Sequence, residues 1–100
     1  MKVTILQEAS FEFDEAISYY HGIDEVLGLR FKALGFQLVE WIEFNPEVLS
    51  IRAKGYRRAN FKGFPYYIPY VIREDTIWIL AFAHAARKPH YWAPRLDSVP

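Results

Sequence analysis

The hydrophobic pattern changes its period at Asn45-Pro46, and this change constrains the fold more than any other feature of the sequence. Before this point, apolar residues recur every three or four positions, as they do on the buried face of a helix. After it, apolar residues alternate with polar ones or form short runs, as they do in strands. A chain of 100 residues has the size of one domain. We therefore expect helices and a sheet to share one domain spanning residues 1–100.

A short strand and a first helix are predicted before residue 23. Val3 and Ile5 alternate with polar neighbours, which is typical of a strand over Lys2 to Gln7. Ser10 is the type of residue that caps a helix N-terminus, because its hydroxyl can accept from a free amide. We expect the first helix to end at His21-Gly22, with Gly22 in a left-handed conformation. Its predicted buried stripe consists of Phe13, Ala16, Ile17 and Tyr20.

A longer second helix is predicted from Asp24 to Asn45-Pro46, so that the two helices form a hairpin. Proline ends it because a residue that precedes proline avoids helical geometry. Gly35 lies inside this helix at a cost of about 1 kcal/mol relative to alanine, which predicts close approach to a neighbouring element. The predicted buried residues are Leu27, Phe31, Leu34, Leu38 and either Trp41 or Ile42.

Three strands are predicted after the hairpin, over Leu49–Phe61, Phe64–Arg73 and Thr76–Ala83. Gly55 can interrupt the first, and the third is apolar on both faces, which favours a central place in the sheet. Pro69 has no N–H to donate, so it requires an edge, a bulge or a bend. The sequence thus predicts an α+β domain of one strand, a helical hairpin, a three-stranded antiparallel meander and a short C-terminal tail. The helices would pack on one face of the sheet.

Charge is divided between the two halves of the chain although the net charge is zero. Residues 1–48 carry nine acidic and three basic side chains, and residues 49–100 carry the reverse. If the halves occupy different faces, the basic sheet surface would be an exposed docking site for a polyanion. The alternative is that the acidic residues only solvate the helices.

Cysteine is absent, which excludes disulfides and thiolate chemistry. We expect a cytoplasmic protein, because neither a secretory signal nor a bilayer-length apolar stretch is present.

Strong catalytic signatures are missing, and what remains is a basic and aromatic surface. His84 and His90 lack a third fixed ligand, so we expect no metal and no cofactor. Lys and Arg that neutralise phosphate, combined with aromatic rings that stack on bases, are the usual means of binding single-stranded RNA. The aromatic residues Tyr66, Tyr70 and Trp78 are better interpreted as core. The candidate surface comprises Arg52, Lys54, Arg57, Arg58, Tyr67, His84, Arg87, Lys88, His90, Tyr91 and Trp92.

Four segments together resemble the RelE/ParE superfamily of toxins from type II toxin–antitoxin pairs. They are FDEAISYY in the first helix, NP at the end of the second, RRANFKGFPYYIPY in the meander and AHAARKPHYW near the C-terminus. The resemblance implies the element order given above and a cognate antitoxin as partner. It also implies one of two targets. RelE-like members cleave mRNA on the ribosome without a metal, whereas ParE-like members poison DNA gyrase and are not nucleases.

For the cleavage branch, the resemblance implies roles for particular side chains. Arg87 would stabilise charge, and Tyr91 would orient or protonate the reacting groups. The chain departs from the superfamily at Tyr67, where many relatives have arginine, and at Pro69. Either His84 or Tyr67 is then the substitute catalytic group. Three alternatives stay open: an mRNA endonuclease, a gyrase inhibitor and an inactive toxin-fold binding protein. Arg58 is the fourth residue of the implied catalytic set, and the residues that would bind RNA or the target are Arg52, Lys54, Arg57, Lys88 and Tyr67.

Overall fold

The computed structural model describes residues 1–100 and has the predicted α+β architecture, a helical hairpin packed on a mixed sheet. Neither helix is both long enough and apolar enough to cross a membrane. A 3₁₀ turn at Ala53–Gly55 precedes the meander, and a 3₁₀ helix at Ala93–Ser98 ends the chain. The other elements are β1 (Lys2–Ile5), α1 (Gln7–Ile23), α2 (Glu25–Phe44), β2 (Arg57–Asn60), β3 (Tyr66–Arg73), β4 (Thr76–Ile79) and β5 (Ala83–His84).

Helix α1 begins earlier than the sequence suggested, and Ser10 is not its cap. The N-cap is Leu6, whose side chain makes no capping hydrogen bond. The backbone of Leu6 belongs to both the sheet and the helix. Its N–H donates to the carbonyl of Ile79 in the sheet, and its carbonyl accepts from the N–H of Ser10 in α1. The chain therefore passes directly from β1 into α1. Gly22 also stays helical, and Asp24 makes the break by accepting a hydrogen bond from the Val26 N–H at 2.8 Å.

The sheet has the strand order β1, β4, β3, β2, and β5 pairs with the far end of β3. Strands β2, β3 and β4 form the predicted antiparallel meander, whereas β1 runs parallel to β4. β4 is central, as its two apolar faces predicted. β2 is shorter than predicted and starts at Arg57. The segment before it turns at Lys54 and Gly55, which both have positive φ.

Pro69 causes a bulge in the strand beside it, one of the three possibilities that the sequence left open. Its carbonyl accepts from the Leu80 N–H, so its nitrogen also faces the β4 side, where it has no proton to donate. The pairing register with β3 advances by one residue between Ile79 and Ala83. The ladder is interrupted opposite Pro69, and β4 and β5 are two parts of one bulged strand.

Hydrophobic clusters lie on both faces of the sheet. On one face, Phe13, Tyr20 and Phe31 of the hairpin pack on the sheet, as predicted. On the other face, the C-terminal tail covers Tyr67 and Val71. The sequence predicted an exposed basic sheet surface, and this prediction was wrong for this face because apolar side chains of the tail cover it. The tail residues in this cluster are Tyr91, Trp92, Ala93, Leu96 and Val99.

Gly35 allows the two helices of the hairpin to approach each other closely. A Cβ built on Gly35 would overlap the ring of Phe13, which confirms the close approach predicted at this position. The Phe13 ring is itself fixed by stacking on Phe82, with ring centroids 4.3 Å apart. The ring cannot move away without disturbing the core.

We expect Gly35→Ala to lower the free energy of unfolding by about 1–3 kcal/mol, because the added methyl overpacks the core. Urea unfolding followed by circular dichroism measures this. Gly22→Ala is the matched control, since its Cβ meets nothing within 4 Å and helix propensity favours alanine by about 1 kcal/mol. Equal destabilisation by both substitutions would contradict the packing argument.

Candidate functional site

The carboxylate of Glu12 joins three separate parts of the chain. Oε1 accepts from the Phe82 N–H at 3.2 Å and from Arg95 Nη1 at 2.8 Å. Oε2 accepts from the Tyr91 hydroxyl at 2.6 Å and from Arg95 Nη2 at 3.0 Å. The Glu12 side chain is only 13% exposed. A helix, the strand bulge and the tail are thus tied to one charged group through a bidentate pair and two further hydrogen bonds.

Arg87 lies at the solvent edge of this cluster. Its Nη1 is 3.6 Å from Glu12 Oε2, and its guanidinium lies 3.7 Å from the centroid of the Tyr91 ring. The side chain is 57% exposed, so this ion pair is weaker than the one with Arg95. Arg87 therefore compensates part of the negative charge of Glu12, while the outer side of its guanidinium remains in water.

The hydroxyl of Tyr91 is held in its protonated form. Burial raises the pKa of Tyr91 above the ordinary value of 10.0, and the hydrogen bond to Glu12 raises it further. Arg87 and Arg95 oppose this shift. A phenol that donates to a carboxylate loses that bond on ionisation, so Tyr91 acts here as a fixed donor.

A cavity of 330 Å³ brings together three of the four predicted catalytic residues, His84, Arg87 and Tyr91. The Nδ1 atom of His84 accepts from the Ala86 N–H at 3.0 Å. The cavity is also lined by Glu12 and Glu15. The sequence analysis counted these two residues only among the acidic side chains of residues 1–48, although Glu12 lies at helical spacing between the buried Ala9 and Ala16. The full lining is Glu12, Glu15, Ala16, Tyr19, Tyr66, Phe82, His84, Arg87 and Tyr91.

The fourth predicted catalytic residue, Arg58, lies on the opposite face of the sheet. Its guanidinium lies 3.8 Å from the centroid of the Tyr67 ring, and its Nε donates to Asn60. Tyr67 is itself only 6% exposed, and its hydroxyl accepts from Trp92 Nε1 at 3.0 Å. Tyr67 was predicted to contact RNA or a target, and in this structure Arg58 and the tail cover its ring.

The other predicted basic residues do not join the cavity. Arg57 donates to the carbonyl oxygens of Glu47 and Leu49 and so fixes the loop that follows α2. Arg57 pairs with Tyr70 of β3, whose side chain packs on the helix face of the sheet. Arg58 pairs with Pro69, and its side chain lies on the other face, against Tyr67 and the tail. The remaining three, Arg52, Lys54 and Lys88, are exposed in the segments before β2 and after β5.

The family follows from comparison with known proteins. The model of the ParE toxin family of type II toxin–antitoxin systems, parDE, matches residues 3–89. The chain belongs to this ParE toxin family. Among solved structures, it is similar to one described as the chromosomal ParDE toxin–antitoxin system from P. aeruginosa, with a TM-score of 0.74 and 16% identity. That match covers 84% of this chain and 95% of the other. The comparison with curated proteins gave no match.

The resemblance stated from the sequence is thereby confirmed, and so is its fold. This ParE family member is the toxin component of a type II system, which implies an antitoxin as partner. The solved relative shares the fold at low identity, so the roles of individual side chains must be argued from this chain alone.

We expect Glu12→Gln to lower the free energy of unfolding by about 2–4 kcal/mol, because Arg95 loses its charged partner in a half-buried site. Chemical denaturation of the purified toxin measures the loss. Glu15→Gln is the matched control, since Glu15 lines the same cavity but is exposed, and it should change stability by less than about 0.5 kcal/mol. Equal effects of the two changes would refute the central role of Glu12.

Stability should fall as the pH rises above 10. The pKa of Tyr91 is raised in the folded chain, so the unfolded chain ionises first and is stabilised by that ionisation. Tyr91→Phe removes this group and should make the alkaline loss shallower, although Tyr20, Tyr66 and Tyr70, whose pKa values burial also raises, still contribute. Thermal unfolding between pH 8 and 11 measures the slope. Tyr19→Phe, at an exposed position, should change the slope less than Tyr91→Phe does, because Tyr19 acts only through its contribution to the raised pKa values of Tyr20 and Tyr66.

Proposed function

We propose that this ParE family toxin inhibits DNA gyrase by binding to it and has no RNA-cleaving site of its own. Gyrase poisoning without nuclease activity is what the sequence resemblance implied for ParE-like members. The observation that carries the proposal is the position of the Glu12 carboxylate among the residues that a nuclease would need free. The proposal also implies the cytoplasmic location expected from the sequence.

RNA cleavage requires uncompensated cations around the phosphate and a donor for the leaving oxygen. In this chain, Glu12 accepts hydrogen bonds from both Nη atoms of Arg95, and its Oε2 atom is 3.6 Å from Arg87 Nη1. The Tyr91 hydroxyl donates to the same carboxylate at 2.6 Å. The cation and the proton donor are therefore already engaged within the protein.

The electrostatics of the cavity also oppose phosphate binding. The charges of Arg87 and Arg95 are balanced by those of Glu12 and Glu15, so a phosphate placed there would meet no excess positive charge. Arg58, which would complete the catalytic set, lies on the far side of the sheet against Tyr67. A target protein bound through the surface of the toxin requires no assembled catalytic set.

Ribosome-dependent mRNA cleavage is the second candidate function, because His84, Arg87 and Tyr91 do share one cavity. For cleavage to occur, the ribosome would have to separate Tyr91 and Arg87 from Glu12. This reorganisation costs free energy, since the Glu12 carboxylate would lose hydrogen bonds in a half-buried site. A toxin-fold protein without activity is the remaining alternative and predicts that induction does not arrest growth.

The purified toxin should inhibit supercoiling of relaxed plasmid by gyrase, and it should leave mRNA intact in a translating extract. The control is toxin mixed with its antitoxin, which should restore supercoiling. Codon-phased mRNA cuts together with normal supercoiling would overturn the proposal in favour of the second candidate. The absence of both effects, with no growth arrest on induction, would support the inactive alternative.

Tyr91→Phe provides a second test, because it removes the hydroxyl but keeps the ring beneath Arg87. We expect gyrase inhibition to change by less than about twofold at neutral pH. A nuclease that used this hydroxyl as its acid would lose about 10²–10⁴-fold in rate. Measuring the two activities on the same protein preparation distinguishes these outcomes.

A further inference from the structure

Two turns that carry basic side chains meet on the tail-covered side of the sheet. The first, Arg52–Gly55, is closed by a hydrogen bond from the N–H of its last residue to the carbonyl of its first. The second, Lys88–Tyr91, is closed in the same way. The hydroxyl of Tyr56, which follows the first turn, lies 3.2 Å from Nε2 of His90 in the second. This contact holds the two turns side by side.

A further cation lies beside the same contact. Tyr56 and Arg58 are two residues apart in extended chain, so their side chains project from the same face. The Tyr56 ring packs edge-on against Trp92, with ring centroids 4.7 Å apart, and Trp92 donates to Tyr67, over which Arg58 lies. Four cations therefore border one aromatic cluster. We call them the basic rim, namely Arg52, Lys54, Arg58 and Lys88.

The backbone at Lys54 indicates that this side chain serves something outside the fold. Lys54 has a φ of 74°, a left-handed conformation that favours glycine over any residue with a side chain. The side chain is exposed and forms no ion pair. The fold alone would be better served by glycine here, so an external contact accounts better for the lysine.

Carboxylates are sparse around the basic rim. Residues 48–73 and 76–96 contain none, and both ion pairs of the chain use Glu12, which binds the two arginines outside the rim. No rim cation forms an ion pair. Because the net charge of the chain is zero, a polyanion would be attracted by this local excess and not by the total charge. The acidic residues that flank these segments are Glu47, the hairpin pair Glu74 and Asp75 next to Arg73, and Asp97.

The aromatic rings beneath the rim are closed to nucleic-acid bases. Tyr56, Tyr67 and Trp92 are only 5%, 6% and 0% exposed. Proteins that bind single strands stack the bases on exposed rings, whereas contacts to a duplex backbone need only cations and other donors to phosphate. The basic rim therefore suits the phosphates of a duplex and not a single strand.

An acidic protein fits the rim less well than a duplex does. Protein interfaces are centred on aromatic or aliphatic side chains that fill pockets of the partner. The exposed residues of the two turns are charged or small, and the large apolar residue next to them in sequence is Ile51. Charge without an apolar centre is typical of phosphate recognition.

We propose that the basic rim binds the phosphate backbone of duplex DNA without reading its sequence. The choice of DNA over duplex RNA rests on the proposed function, because gyrase acts on DNA. A toxin bound to gyrase through another surface then also contacts the DNA that the enzyme holds. Binding to DNA alone requires no gyrase, so the two proposals can fail separately.

Fluorescence anisotropy of a labelled DNA duplex of about 20 base pairs, titrated with the purified toxin at low salt, tests the proposal. Lys54→Gln combined with Lys88→Gln should weaken binding about tenfold or more and reduce the salt dependence, since two phosphate contacts are lost. Lys2→Gln combined with Lys32→Gln is the matched control, because it removes the same charge from exposed sites outside the rim. The control should weaken binding less than about twofold.

Lys54→Gly separates a loss of contact from a loss of fold. Glycine relieves the left-handed conformation, so the melting temperature should stay the same or rise. Affinity for the duplex should nevertheless fall about threefold or more, because one cation is gone. A variant that keeps full affinity would remove Lys54 from the site and contradict the proposal.

Three further results would overturn the inference. They are the absence of duplex binding at low salt, equal weakening by the rim pair and the control pair, and tighter binding of single-stranded DNA or of duplex RNA of the same length. If the rim pair abolishes antitoxin binding and leaves DNA binding intact, the surface belongs to the antitoxin and the proposal is wrong.

The supercoiling assay on the same preparations distinguishes failure of this inference from failure of the proposed function. Gyrase inhibition by a toxin that does not bind DNA would leave the proposed function standing and refute the role of the basic rim. Rim-dependent DNA binding without gyrase inhibition would support the rim and refute the proposed function.

Discussion

The Glu12 carboxylate is the interaction on which the arrangement of this fold depends. It accepts a backbone N–H from the strand bulge, a hydroxyl from the start of the tail and a bidentate guanidinium from Arg95. One of its donors, the Phe82 N–H, is available because of Pro69. Proline has no N–H to continue the ladder, the neighbouring strand bulges, and the Phe82 N–H is released from strand pairing to face α1. The absence of an N–H at Pro69 in β3 thus makes possible the hydrogen bond between the Phe82 N–H and Glu12 of α1.

This contact joins the acidic and basic halves of the sequence inside the molecule. Arg87 and Arg95 come from the basic half, and their partner Glu12 comes from the acidic half. The tail that carries Arg95 also brings Trp92 over the second face of the sheet, where its indole donates to Tyr67. Part of the charge that looked available for an external polyanion is consequently used to attach the tail. A toxin that acts by binding a protein is compatible with such a surface.

The helical hairpin has two apolar faces with different uses. Its inner face is so close-packed that Gly35 has room for no side chain beside Phe13. Its outer face on α2 leaves Leu29, Phe36 and Phe44 in solvent. Burial in the core explains the apolar residues of the inner face. The apolar residues of the outer face lower solubility and do not contribute to the core. The outer face is for this reason better explained by a partner than by folding.

The sequence alone determined the elements of this protein and their order, because hydrophobic period, turn residues and proline act locally. The end of α2 at Asn45-Pro46, the close approach at Gly35 and the disturbance at Pro69 were all readable in this way. The family resemblance in RRANFKGFPYYIPY and AHAARKPHYW was readable too. Only the tertiary structure decided the site, because a side chain's charge partner depends on contacts between residues distant in sequence. Tyr91 and Arg95 meet Glu12 across most of the chain length, and the tail covers Tyr67, so neither the neutralised cavity nor the closed sheet face could be predicted from local pattern.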